Sequence, residues 1–102
     1  MGKFVVVYKG GAMAETPEAQ EATMQRWMQW FGGLGSSVTD FGNPFGPSVA
    51  LNHEGVEGDA TSELTGYTIL EAEDLGAARG LVSDCPVFAA GGSVEIYEAM
   101  PM

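Results

Sequence analysis

Lys3-Phe4-Val5-Val6-Val7-Tyr8-Lys9, closed by Gly10-Gly11, is the stretch on which the fold turns. An apolar, β-branched run of this length ended by two glycines predicts a strand. Alternation sends Phe4, Val6 and Tyr8 to one face and Val5 and Val7 to the other. Both faces are therefore apolar, which places the strand inside a sheet rather than at its edge.

Downstream, Thr16-Pro17-Glu18 predicts a helix start. Threonine caps free amides, proline at the first helical position loses no hydrogen bond, and the acid suits the positive end of the dipole. Met24, Trp27, Met28, Phe31 and Leu34 recur at helical spacing and predict the buried stripe, with Trp30 flanking it. Gly32, Gly33 and Gly35 end the helix. Val38 to Phe41 reads as a second strand, interrupted by Gly42-Asn43-Pro44 and Gly46-Pro47, resuming at Ser48 to Asn52, and suited to a sheet edge. His53 to Ser62 reads as a polar loop or hairpin connection. Leu64 to Ala72 predicts a third strand, with Thr65, Tyr67 and Ile69 on one face and Leu64, Thr68 and Leu70 on the other. Asp74 to Asp84 predicts a second helix stopped by Cys85-Pro86, and Ser93 to Ala99 a last strand.

The order βαββαβ predicts an α+β, ferredoxin-like sandwich: a four-stranded antiparallel sheet with both helices on one side and strands one and three in its centre. Two helices cover one face only. The apolar residues of the other face call for a second copy packed sheet to sheet, a homodimer closing a barrel-like core.

At 102 residues and 45% hydrophobic content, the chain suits one domain. Fourteen acidic residues against four basic ones give a net charge of -10. That charge repels phosphate backbones and anionic lipid, so neither nucleic acid nor membrane is an expected partner. With no long apolar run and no signal-like N-terminus, the expected location is cytoplasmic. Lone Cys85 allows no internal disulfide, and no spacing suggests a metal or other cofactor.

Tyr8-Lys9-Gly10-Gly11, Trp27-Met28-Gln29-Trp30-Phe31, Asp40-Phe41-Gly42-Asn43-Pro44-Phe45-Gly46-Pro47-Ser48, the third strand, Cys85-Pro86 and Gly91 to Tyr97 form a set spanning nearly the whole chain. By these segments the protein resembles the YCII-related (DGPF-type) domain proteins of the dimeric α/β-barrel group. The resemblance implies the same ferredoxin-like dimer and little about activity. Some smaller members carry a histidine on the first helix beside an aspartate near the second strand, a pair suspected of acid-base work. Asp40 corresponds to the aspartate by position, but residues 17 to 34 contain no histidine. Larger relatives by fold include muconolactone isomerase-like and monooxygenase-like enzymes, and fold alone does not carry their chemistry over.

Among the residues able to do chemistry, His53 is either a general base, or a ligand alongside Glu54, Glu57 and Asp59, or simply an exposed loop histidine. Asp40 and Asn43 either line a cleft with Tyr8 or serve the turn, Asp40 by binding its backbone. Trp27 and Trp30 either form an aromatic wall for an apolar or planar ligand or pack structurally, Trp27 within the core stripe and Trp30 off its centre, where it borders a cleft or the dimer seam. Tyr8 and Tyr67 offer hydroxyls to a cavity or sit at its rim. Cys85, at a helix C-terminus, lacks what lowers a thiol pKa and reads as structural. The glycine-rich pieces are turns. Three functions stay open: binding of a small organic metabolite between the first helix and the sheet, cofactor-independent proton-transfer or lyase chemistry using Asp40 with Tyr8 or His53, and a protein-interaction module.

Overall fold

A computed structural model describes residues 1–12 and 14–102. The elements run β1 (Gly2–Lys9), α1 (Pro17–Leu34), β2 (Val38–Asp40), β3 (Ala50–Leu51), β4 (Glu57–Gly58), β5 (Leu64–Ala72), α2 (Leu75–Val82) and β6 (Ser93–Ala99). The main sheet is antiparallel in the order β2-β5-β1-β6. The two strands that read apolar on both faces hold its centre, as expected of an α+β ferredoxin-like sandwich.

The helix starts form as their residues dictate. Thr16 accepts from the Ala19 amide at 3.1 Å with Pro17 behind it, and Asp74 accepts from Ala77 at 2.8 Å. Each satisfies an amide that the first helical turn leaves free. Phe4, Val6 and Tyr8 from β1 and Thr68, Leu70 and Ala72 from β5 are buried beneath the helices, with Trp30, Ala78, Val82, Cys85 and Val87.

Two expectations are corrected. The second strand does not resume in the main sheet. Beyond Asp40 the chain keeps only a bridge between Pro44 and Gly66. Ala50 and Leu51 instead pair with Gly58 and Glu57 in a separate hairpin. Pro44 and Pro47 have no amide to donate to a ladder, and Asn52 Oδ1 accepts from the Glu54 and Val56 amides at 2.9 and 3.0 Å, folding the chain back locally.

The first helix is also rotated relative to its predicted stripe. Met24 and Met28 are 64% and 66% exposed, and Trp30 is buried with Trp27, Phe31 and Leu34 packed beside it. Residues 27, 30, 31 and 34 share a face as well as the predicted set does. Turning that face inward buries an indole in place of two thioethers, and aromatic side chains dominate burial energetics.

The opposite face of the sheet carries Val5, Val7, Tyr67 and Ile69, all half-buried, and Tyr97, which is 56% exposed. The molecule measures 43 × 40 × 18 Å. Its 7287 Å² of accessible surface exceeds the roughly 5,500 Å² expected of a compact monomer of this mass.

Candidate functional site

Between α1, β5 and the turn that follows β2 lies a cleft of about 270 Å³. Glycines let its parts approach. Gly42, at φ +79°, sets its Cα against the Tyr67 carbonyl, and a side chain on Gly66 would come within 3.2 Å of the Asn43 carbonyl. The turn is held by Asp40, whose Oδ1 accepts from the Gly42 amide at 2.8 Å. It is held further by the Phe45 amide, which donates to the Thr65 carbonyl at 2.9 Å.

Aromatic rings make most of the wall. Tyr8 and Trp27 meet edge to face at 5.1 Å, as do Phe31 and Phe41, and Trp27 lies 5.8 Å from Phe31. Such edge contacts fix ring orientations with little entropy left to lose on binding. Asn43 and the chain from Tyr8 to Thr68 supply polarity. The Tyr8 hydroxyl is 2.7 Å from Thr68 Oγ1, which donates to the Phe41 carbonyl at 2.9 Å.

Burial pushes the Tyr8 phenol up to about 12 from its ordinary 10.0, against a smaller lowering by the Thr68 hydrogen bond. At neutral pH Tyr8 is therefore a hydroxyl and not a phenolate. Burial likewise raises the Cys85 thiol to about 11 from 9.0, consistent with the structural role expected of it. Both groups are neutral when protonated, and both fold into sites that disfavour their anions. The stability they contribute is fully present below about pH 9 and is lost as pH rises through 11 to 12. Urea midpoints measured from pH 8 upward should fall across that window, and Tyr8→Phe should flatten the upper part of the fall.

The structure brings together three of the residues singled out from sequence. Tyr8, Asn43 and Tyr67 line the cleft, and Tyr67 also stacks on Phe45 at 5.8 Å and 19°. Three others lie elsewhere. Asp40 is turned into its own loop backbone, because the short side chain reaches the Gly42 amide without leaving the turn. His53 sits in the β3–β4 hairpin turn with its side chain 88% exposed, 3.6 Å from Glu54. Trp30 is buried behind Trp27, their rings 5.7 Å apart. Its indole N–H has no hydrogen-bond partner among the described residues, a cost of about 1–3 kcal/mol set against the area the ring removes from water.

Phe31, Phe41 and Thr68 are cleft residues that sequence reasoning missed, whereas Trp27, one of the two readings of which was an aromatic wall, does line the cleft. Thr68 carried a signal: it is the lone hydroxyl among Gly66, Leu70 and Ala72 on the buried face of β5. Among the described residues, the titratable groups lining the cleft are Tyr8 and Tyr67, and no cluster of three or more His, Cys, Asp or Glu is arranged to hold a metal ion. A second groove, between α2 and β6, is wider at about 530 Å³ and has Arg79 as its charged lining residue. Among the described residues, no helix is long and apolar enough to cross a membrane.

No family model and no curated protein matches the sequence. Among solved structures the fold is similar to that of 5-chloro-2-hydroxyhydroquinone dehydrochlorinase (TftG) from Burkholderia phenoliruptrix AC1100, in complex with 2,5-dihydroxybenzoquinone. The TM-score is 0.56 at 15% identity, over 96% of this chain and 93% of that one. At that identity the likeness is one of fold.

Proposed function

We infer that this protein binds a small, planar, uncharged organic molecule in the cleft beneath α1. The observation that carries the reading is the wall itself: ring edges and faces from Tyr8, Trp27, Phe31 and Phe41 around about 270 Å³, with polar groups supplied by Asn43, Tyr8 and Thr68. Ligand sites are typically apolar clefts with a small number of placed polar groups. A charged ligand would find no opposite charge among the described lining residues, and an anion would also meet the field of a chain with net charge -10. The dehydrochlorinase of similar fold is complexed with a planar ring molecule, 2,5-dihydroxybenzoquinone, which agrees in shape.

Binding is favoured over proton-transfer chemistry because phenols are the titratable groups in the wall, and Tyr8, held protonated near neutrality, presents no phenolate to act as a base. Asp40 and His53, the earlier acid-base candidates, lie outside it. The segments quoted from sequence support kinship with the YCII-related domains.

A second copy of the chain completes the reading. The open face of the sheet bears Val5, Val7, Tyr67, Ile69 and Tyr97, and alternation adds Lys3, Lys9, Glu71 and Glu95. Lys3 lies opposite Glu71 in register, and Lys9 is 3.6 Å from Glu95. Half of the four basic residues are thus on this face, which is locally neutral on a strongly acidic chain. A neutral, apolar face on a molecule with surplus surface is what self-association requires.

Calorimetric titration of a panel of one- and two-ring aromatics tests the cleft. Trp27→Ala should weaken the best ligand at least about tenfold, since a truncated aromatic anchor typically costs more than 1 kcal/mol. Trp30→Phe should leave affinity unchanged. Equal affinity in the wild type and Trp27→Ala would place the ligand elsewhere.

A further inference from the structure

The hydrogen-bond chain among the lining residues has a direction. Three oxygens lie in a chain, Tyr8 Oη, Thr68 Oγ1 and the Phe41 carbonyl, separated by 2.7 and 2.9 Å. Two protons are available to make two hydrogen bonds. A carbonyl only accepts, so the Thr68 proton must go to Phe41. With that proton committed, the contact between Tyr8 and Thr68 is satisfied only by the Tyr8 proton pointing at Thr68. Thr68 is fully buried and Tyr8 is 6% exposed, so water has little access to rearrange the chain. What Tyr8 can still offer the cleft is the lone pairs of its oxygen.

We propose that Tyr8 selects ligands by polarity, accepting an O–H or N–H proton from a planar ring molecule and discriminating against rings that present only an acceptor at that point. This rests on the cleft being the binding site. An acceptor placed against the Tyr8 oxygen faces lone pair to lone pair, and recovering the phenol proton would break the bond to Thr68. Burial keeps Tyr8 protonated, so the arrangement holds through the neutral range. Asn43, with both a donor and an acceptor in its amide, carries no such preference.

Indole, benzofuran and 1-indanone serve as probes, being close in shape and presenting a donor N–H, a weak acceptor and a carbonyl acceptor. Calorimetry on the wild-type protein should show indole binding about tenfold more tightly than either of the others, the worth of one hydrogen bond. Thr68→Val removes the acceptor that holds the Tyr8 proton and frees that proton for the ligand. In this near-isosteric variant the preference should swing toward 1-indanone by about tenfold. Tyr8→Phe should bring indole and benzofuran to equal affinity. Circular dichroism confirms that each variant is folded, and the wild-type comparison needs no variant at all. Equal wild-type binding of all three probes, or unchanged preference in Thr68→Val, overturns the polarity while leaving the cleft in place. Binding of none of them overturns the cleft reading together with this one.

Discussion

Gly42→Ala should lower stability by about 2–5 kcal/mol and abolish ligand binding. A β-carbon at this position would fall on the Tyr67 carbonyl oxygen, 2.6 Å from its carbon and 3.2 Å from the Thr68 nitrogen. All three are backbone atoms of a central strand, which cannot swing aside as a side-chain tip does. The glycine also sits at φ +79°. Overpacking of this kind costs roughly 1–3 kcal/mol, and a left-handed conformation imposed on alanine adds about 1–2 kcal/mol. Relief comes most readily from lifting residues 41 to 44 off β5. That movement would separate Phe41 from Phe31 and take its carbonyl from Thr68, opening the aromatic wall and breaking the hydrogen-bond chain at once. Chemical denaturation and titration of the best cleft ligand measure the two effects. Gly46→Ala is the control, because its added carbon meets nothing within 4 Å and its φ is not positive. A Gly42→Ala protein as stable as Gly46→Ala would mean that the turn does not press on the sheet.

The centre of this fold was legible because its signal is local. Val5 and Val7 are apolar where an edge strand or a one-sided strand would be polar, so β1 had to be central, and β5 followed by the same argument. The second strand was misread because Ser48 to Asn52 has the residues of a short strand, and strand-like composition does not name a pairing partner. The Asn52 turn decides that, through hydrogen bonds of a side chain to its own loop. Helix phase failed for a related reason. The sets 24-27-28-31 and 27-30-31-34 are both single faces, and sequence periodicity cannot tell which one the sheet receives.

The cleft was half legible on the same grounds. Asn43 was flagged as a turn residue, and Tyr8 and Tyr67 as strand residues whose hydroxyls reach a cavity or its rim. The link from Tyr8 to Thr68 spans 60 residues and follows from register alone: Val6 lies opposite Thr68 and Tyr8 opposite Gly66, which makes Tyr8 and Thr68 diagonal neighbours on the buried face. Asp40 and His53 drew attention by residue type. Geometry left one in a turn and the other on a hairpin tip.

Val5→Asp should convert the protein from a species of twice 10.7 kDa to one of 10.7 kDa. Val5 is opposite Ile69 on one side and Tyr97 on the other, at the middle of the open face. In a single chain it is only half-buried, so a carboxylate there keeps access to water and the sheet still forms. In a two-fold pair packed sheet to sheet, each copy would bury an unpaired negative charge against apolar residues, at a cost of about 3–5 kcal/mol per charge. That corresponds to at least two orders of magnitude in dissociation constant for each copy. Lys3 and Lys9 do not rescue it, since Glu71 and Glu95 already face them. Met28→Asp, on the exposed outer side of α1, is the comparison. Sedimentation equilibrium should show Val5→Asp monomeric and Met28→Asp unchanged. The reverse result would move the contact to the helical side and leave the sheet face without a partner. Salt gives an independent handle on the same interface. Two chains of charge -10 repel at long range while the contact face itself is nearly neutral, so raising ionic strength should tighten the wild-type pair. An interface built from ion pairs would instead loosen as salt rises.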